Sequence, residues 1–476
     1  MRKAWLAALA VVLVATSCAA RNKDEAATEN EEGGEANTEE STSEPTTGDK
    51  FGDMESPCGP GEMTVEESES AGSPDKMLLG VANDRSSTIR PGLNKELWDT
   101  SQAFAAWCNA QGGIGGLEIE LVDIDGKLLE VEASMAEACN GVFMLVGGGQ
   151  VQDNLQFSGK PESDFHECVL ADIPGFAVSP EKSESNGQIQ PIPHPLSEAP
   201  SLWIRQFQQL HPEEAESMVE VWGELPAMET VKEQTVAIFD AEGVENAGVF
   251  PYPVTGLADW TPLAQQIIAT GSQSLHFVGE PTNFAALVKT LREQGWEGYP
   301  VVETNIYDQV YVDAAGADKA ADTLIRSIFH PFEEADKWPA VQQYIDILND
   351  NVDDPKIALL GMQSFSGWLL FADSARACGE ANDGVVTRDC VLETAAEVDD
   401  WTAGGLHAPT NPGPEGGGSP VCGMLIRVTE SGEFERYFPE IGSEDDDLDG
   451  FGCDDTAVVD VPANAGLGVT SDKQPI

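Results

Sequence analysis

Positive charge is scarce in this chain. Its 476 residues include 25 Lys and Arg against 83 Asp and Glu, a formal net charge of −58. Nucleic acids and anionic headgroups are held by a basic face, so no nucleic-acid partner is expected. Histidine is also rare. The six (His166, His194, His211, His276, His330 and His407) are scattered, and no nucleophile–base pair can be read from their neighbours. There is no C-x-x-C pair, Cys/His cluster, P-loop, H-E-x-x-H or G-x-S-x-G. These absences argue against an enzyme, and no catalytic residue, cofactor or metal is assigned. After residue 18 no apolar run approaches the roughly 20 residues of a membrane-spanning helix.

What is present begins at the N terminus. Arg2 and Lys3 precede an apolar run over 4–15, and Thr16 and Ser17 lead into Cys18. Charged, apolar and small-residue regions in that order make a secretory signal. A cysteine directly after the small residues resembles a bacterial lipoprotein signal, which implies a lipid on Cys18. The protein is therefore expected outside the cytoplasm, anchored to the outer face of the cell membrane. Residues 19–75 hold 17 acids and three bases and are nearly free of aromatics. Such a segment buries too little surface to offset its ordering entropy and is expected to be a disordered acidic tether.

Eight further cysteines, an even number in an exported chain, read as four disulfides. Eight allow 105 pairings. Local spacing favours Cys378–Cys390, across a short loop, and Cys422–Cys453, around a hairpin and an acidic loop.

From residue 76 the pattern alternates. Strands are expected at 77–82, 117–122, 142–146 and 175–178, with helices at 97–109 and 131–139 between them. After a proline-rich break (Pro191, Pro193, Pro195) the alternation restarts. It gives helices at 202–210, 228–241, 261–270 and 283–294, and strands at 218–222, 248–252, 275–278 and 299–302. Strand–helix alternation indicates parallel βαβ units. Helices at 338–348 and 358–377 and a hairpin of strands 422–428 and 433–437 follow. The glycines at 112–116 follow a helix and precede a strand, the reverse of a dinucleotide-binding loop, so they are read as a turn. Asp445, Asp447, Asp449 and Gly450 match the start of a Ca²⁺ loop, but Thr456 stands where its glutamate belongs. That stretch is read as an exposed acidic loop.

Specific residues sharpen the two-lobe pattern. The stretch Asn109-Ala110-Gln111-Gly112-Gly113-Ile114-Gly115-Gly116-Leu117-Glu118-Ile119-Glu120-Leu121 resembles the N-x-x-G-G-I-x-G-x-x-I-x-L segment of type I periplasmic binding proteins, in their leucine/isoleucine/valine-binding branch. Asp259-Trp260-Thr261-Pro262, Gly271 and Phe277-Val278-Gly279 are similar to that family's second lobe. Trp368-Leu369-Leu370-Phe371-Ala372, Cys378-Gly379 and Thr387-Arg388-Asp389-Cys390 are similar to its later helices and disulfide loop. The resemblance implies an α/β clamshell of two doubly wound lobes joined by hinge crossings. It implies lobe 1 at 76–197 with return helices at 328–400, and lobe 2 at 198–327 with a C-terminal hairpin and tail at 401–476, after the signal at 1–18 and the tether at 19–75. It also implies the pairs Cys139–Cys168 and Cys58–Cys108. The implied role is capture of a small polar solute (an amino acid, amide or small organic acid) by a monomer serving the permease of an ABC importer. The alternative is a ligand sensor of the same fold coupled to a signalling partner.

Ligands of open α/β sheets sit beyond the carboxyl ends of the strands. The expected ligand residues are therefore Asp84, Arg85, Gly149, Gln150, Ser179 and Pro180 in lobe 1. In lobe 2 they are Glu224, Glu280, Glu303, Asn305 and Tyr307. The amino-acid binders of the resembled family grip the α-carboxylate with Ser or Thr hydroxyls after the third strand. Here that loop, residues 147–153, has none.

Overall fold

The apolar run at the start of the first alternating unit becomes strand β1, Lys76–Asn83, buried along nearly its whole length. The computed structural model describes residues 50–153, 164–178, 182, 185, 187–195, 197–413 and 418–464, all within one unit that begins at Thr47. Beside β1 lie β2 (Glu118–Asp125), β3 (Met144–Val146) and β4 (Asp172–Ile173). They form a parallel sheet in the order β2-β1-β3-β4. Strands covered on both faces need continuous apolar sequence, and β1 supplies it. Helices α1 (Lys95–Ala110) and α2 (Val131–Gly141) make the crossovers.

The second sheet repeats the scheme. Its strands are β5 (Ser217–Gly223), β6 (Glu245–Tyr252), β7 (Ser274–Val278), β8 (Tyr299–Val302) and β9 (Leu324–Ser327). They stand in the order β6-β5-β7-β8-β9, all parallel. The helices of this lobe are α3 (Leu202–Leu210), α4 (Pro226–Ala241), α5 (Thr261–Thr270), α6 (Pro281–Glu293) and α7 (Gln309–Ala315). Helix α5 starts at a Thr-Pro pair and ends at Gly271, whose φ of 81° is the left-handed conformation glycine accepts readily.

The chain then returns to lobe 1. Helices α8 (Pro339–Asn351) and α9 (Leu359–Ala381) pack on α1. The fit is aromatic: the Phe104 and Trp368 rings stack 5.2 Å apart, and Trp368 Nε1 donates to Ser101 Oγ at 2.8 Å. After α10 (Arg388–Ala396) a last crossing delivers β10 (Cys422–Val428) antiparallel to β9. Strand β11 (Phe434–Phe438) pairs β10 on its other side, and the short β12 (Gly452–Cys453) also pairs β10. Three connections, near 188–198, 328–332 and 401–421, therefore join the lobes.

Two expectations are corrected. Residues 175–178 are not a strand; the fourth strand of lobe 1 is the two-residue β4 just before them. The disordered tether does not extend to residue 75. Residues 50–75 lie on lobe 1, where Phe51, Cys58 and Val65 are buried. Thr64–Val65 adds a strand to Val385–Val386. Three well-spaced anchors give this acidic stretch enough burial to order it. Cys18 and residues 19–49 lie outside the described residues.

The structure contains the disulfides Cys58–Cys108, Cys139–Cys168, Cys378–Cys390 and Cys422–Cys453: the last two are the pairs that spacing favours, the first two those that the resemblance implies. The first closes a loop of 50 residues. Chain entropy assigns such a closure up to about 4 kcal/mol. Replacing Cys58 and Cys108 together by serine is expected to approach that loss in chemical denaturation. It should also expose residues 50–75 to protease before the rest. A change below about 1 kcal/mol would show that the bond does not staple this segment.

Candidate functional site

In each sheet the first strand is flanked by the second and the third, so the crossovers leave in opposite directions there. That is the switch point at which open α/β sheets leave a crevice. Here the two crevices face each other. They enclose a cleft of about 840 Å³ between lobe-1 residues such as Ile89, Arg90 and Phe176 and lobe-2 residues such as Met228, Glu280 and Asn305. The size suits a small molecule.

Ion pairs cross this cleft. The Arg90 guanidinium, in the lobe-1 loop after β1, bonds the Glu280 carboxylate at the start of α6. Lys356, just before α9, reaches Glu96 of α1 at 2.8 Å and Asp308 of lobe 2 at 2.8 Å. Burial disfavours the Lys356 charge, but Glu96 and Asp308 outweigh it and raise its pKa above the usual lysine value. Burial raises the Glu96 pKa, with Lys356 opposing. Replacing Arg90 by methionine removes a cross-lobe tie that exists only when the lobes are together. Ligand affinity is expected to fall about five- to tenfold, the scale of one partly exposed ion pair. Calorimetry at low and high salt would check it. An affinity equal to wild type at low salt would show that the pair does not favour closure.

Along the lobe-2 wall runs a row of charge, buried at two residues and half-buried at two, drawn from four neighbouring strands. Glu220 is on β5, His276 on β7, Glu303 at the end of β8 and Arg326 on β9. His276 contacts Glu220 at 2.8 Å and Glu303 at 3.0 Å. Arg326 donates to Glu303 at 2.6 and 2.8 Å. Burial works against a charged His276, but the two carboxylates prevail and raise its pKa to about 9. Burial would raise Glu303 too, yet Arg326 and His276 hold it at about 2. Glu220, deeper still, is raised by burial, and one of its oxygens has no partner. The Trp203 ring stacks on His276, centroids 5.1 Å apart.

A second cavity, about 210 Å³, adjoins the cleft among the hinge crossings. Phe176, His194, Glu303, Thr304 and Leu360 line both.

The comparisons with known proteins bear on this geometry. Residues 215–433 match a family model described as periplasmic binding protein. A fatty acid ABC transporter substrate-binding protein from Thermomonospora curvata aligns at 15% identity with TM-score 0.64, over 84% of this chain and 95% of that one. The branched-chain amino acid binding protein LivJ from Streptococcus pneumoniae, solved with isoleucine, aligns at 15% identity and TM-score 0.60, over 76% and 100%. An ABC transporter substrate-binding protein from Aeropyrum pernix aligns at 14% and 0.64, over 82% and 98%. No curated protein matches the sequence.

Its fold is that of the type I periplasmic binding proteins.

Within that clamshell the residues picked from the sequence divide. Glu280, Glu303 and Asn305 line the cleft. Glu280 is not free to hold an ammonium: it caps α6 by accepting from Thr282 N and Asn283 N, and it bonds Arg90. Asn305 donates to Gly279 O at 2.8 Å. The other described ones do not line it. Asp84 is buried, accepts from the backbone N–H groups of Leu128 and Val151, and is raised by burial to about 6. Arg85 turns to Asp123 (2.6 Å) and lies over the Trp98 ring. Gln150 is buried and donates to Ile124 O and Ser134 Oγ, tying β2 to α2. Gly149 donates its N–H to Ala82 O, and a Cβ there would strike Phe176. The glycines of this loop thus serve close packing rather than an anion. The Glu224 side chain is exposed and does not line the cleft. Tyr307 is a core residue bonded to Glu333. Ser179 and Pro180 lie outside the described residues.

In the acidic loop, Asp446 accepts from Gly442 N and Gly450 N, and Asp447 accepts from Cys453 N. These carboxylates fold the loop. Among the described residues no group of three or more metal-ligating side chains converges.

Arg90, His194, Asp308 and Lys356 were not singled out from the sequence. The scarcity of basic residues was the available signal. Among so many acids, a Lys or Arg drawn inward readily finds a carboxylate, as Arg90 and Lys356 do.

Proposed function

We propose that this protein is an extracytoplasmic solute-binding lipoprotein, anchored through Cys18, that captures a small organic metabolite for the permease of an ABC importer. The observation that carries this reading is the 840 Å³ cleft at the paired switch points, spanned by the Arg90–Glu280 and Lys356 ion pairs. Such ties form only when the lobes are close. A ligand that contacts both walls adds to them and shifts the equilibrium toward closure. The three similar structures above are all transporter substrate-binding proteins, which supports the same reading. The candidate solutes are an amino acid, an amide or a small organic acid.

Native mass spectrometry of freshly purified protein tests it. The expected result is a retained small molecule released on denaturation. A protein that carries nothing and gains no thermal stability from any of a broad metabolite set would contradict it.

A further inference from the structure

The cavity among the hinge crossings has its own chemistry. Its walls are largely apolar: Phe176, Ile192, Leu202, Ile328 and Met424 contribute. At about 210 Å³ it exceeds the roughly 150 Å³ that takes up benzene in an engineered core. Two of its polar groups share one property. Gln190 Nε2 and Trp203 Nε1 are buried and have no hydrogen-bond partner. Both are donors. The Gln190 orientation is set by its Oε1, which accepts from His194 N at 2.9 Å, so the amide nitrogen is the unpaired end. Arg326 also lines the cavity; its Nε and Nη2 go to Glu303, and its remaining nitrogen bonds no described residue. An unpaired buried donor is costly, and two of them beside the half-buried Arg326 guanidinium in one small cavity call for an acceptor.

The charged groups facing this space are balanced. Glu303 offsets Arg326. His276, behind Trp203, is shared between Glu220 and Glu303. Burial holds the His194 pKa below its ordinary value, so that ring is neutral. The site therefore offers hydrogen-bond donors without an excess of positive charge. That suits a carbonyl or carboxyl oxygen on an otherwise apolar body.

We propose that this hinge cavity seats an apolar acyl compound, acid or amide, with its oxygens on Gln190, Trp203 and Arg326. The proposal deepens the solute-binding reading and rests on it. Because the walls come from both lobes and the crossings between them, an occupant also contacts the parts that must move in closure.

The test is calorimetry of the mature protein, stripped of retained ligand, with octanoate, octanamide, octanol and leucine. Octanoate or octanamide is expected to bind at least about tenfold more tightly than octanol, the scale of one or two added hydrogen bonds. The acid–amide difference tells whether the head group carries charge. Trp203→Phe removes only the unpaired N–H and keeps a ring against His276; it should weaken the acyl compounds about tenfold and octanol little. Ile192→Trp fills the cavity and should abolish acyl binding with the melting temperature retained. Acyl compounds that fail to bind, or that bind both variants as they bind wild type, would overturn the proposal, leaving the donors to water. Leucine binding without acyl binding would overturn it while leaving the solute-binding reading intact.

Discussion

Replacing His276 by leucine is expected to cost about 3–5 kcal/mol of stability, the range found when one partner of a buried ion pair is removed. The change keeps similar bulk between Trp203 and β5 but leaves Glu220, fully buried, with no partner of opposite charge. The effect should carry a pH signature. In the wild type the His276 pKa is raised from 6.5 to about 9. Its contribution is complete below pH 6.5 and is lost as pH rises through about 9. The Glu303 pKa is lowered from 4.5 to about 2, so its contribution is present above pH 4.5 and is lost as pH falls through about 2. The row is therefore strongest between about pH 4.5 and 6.5. From 6.5 to 9 the wild type should lose on the order of 3 kcal/mol, at about 1.4 kcal/mol per pKa unit. His276→Leu should lack that alkaline loss. Its deficit should shrink in acid, where Glu220 takes a proton. The double variant with Glu220→Gln should recover much of the stability. Urea denaturation from pH 5 to 9 would measure all of this. A deficit below 1 kcal/mol, or one that does not change with pH, would show that the row is not held by charge.

Lys356→Met is the second large change, again about 3–5 kcal/mol. Glu96 and Asp308 are both buried and share this one ammonium. Methionine fills the space of the stem and leaves two carboxylates facing each other. Because one carboxylate belongs to each lobe, the effect should go beyond stability: repulsion between them favours separation. The variant should show a larger radius of gyration and weaker ligand binding. Adding Glu96→Gln should restore part of both. A variant that is destabilised but closes like the wild type would place Lys356 in the scaffold only.

The fold was largely legible because its signals are local. The Thr261-Pro262 start and Gly271 stop bound α5 at the residues expected. The strands at 299–302 and 422–428 also fall where they were read. The fourth strand of lobe 1 was misplaced because the apolar residues at 175–178 serve the cavities, not the sheet. The ordered start at residue 50 was hidden because, Cys58–Cys108 apart, its anchors pair with distant partners that no local signal marks, Phe51 with Phe365 and Val65 with Val386. Glu303 came through as a cleft residue because a strand end faces the cleft whatever its side chain does. Asp84, Arg85 and Gln150 did not, because the direction of a loop side chain depends on long-range bonds, such as Arg85 to Asp123, 38 residues away.

The central claim is that two switch-point crevices form one ligand cleft that closes by lobe movement. Small-angle X-ray scattering of the stripped protein, with and without the solute that native mass spectrometry identifies, tests it most directly. The account predicts a radius of gyration that falls on adding solute and falls clearly less in Arg90→Met at the same subsaturating concentration. A radius unchanged by a solute shown to be bound would contradict it.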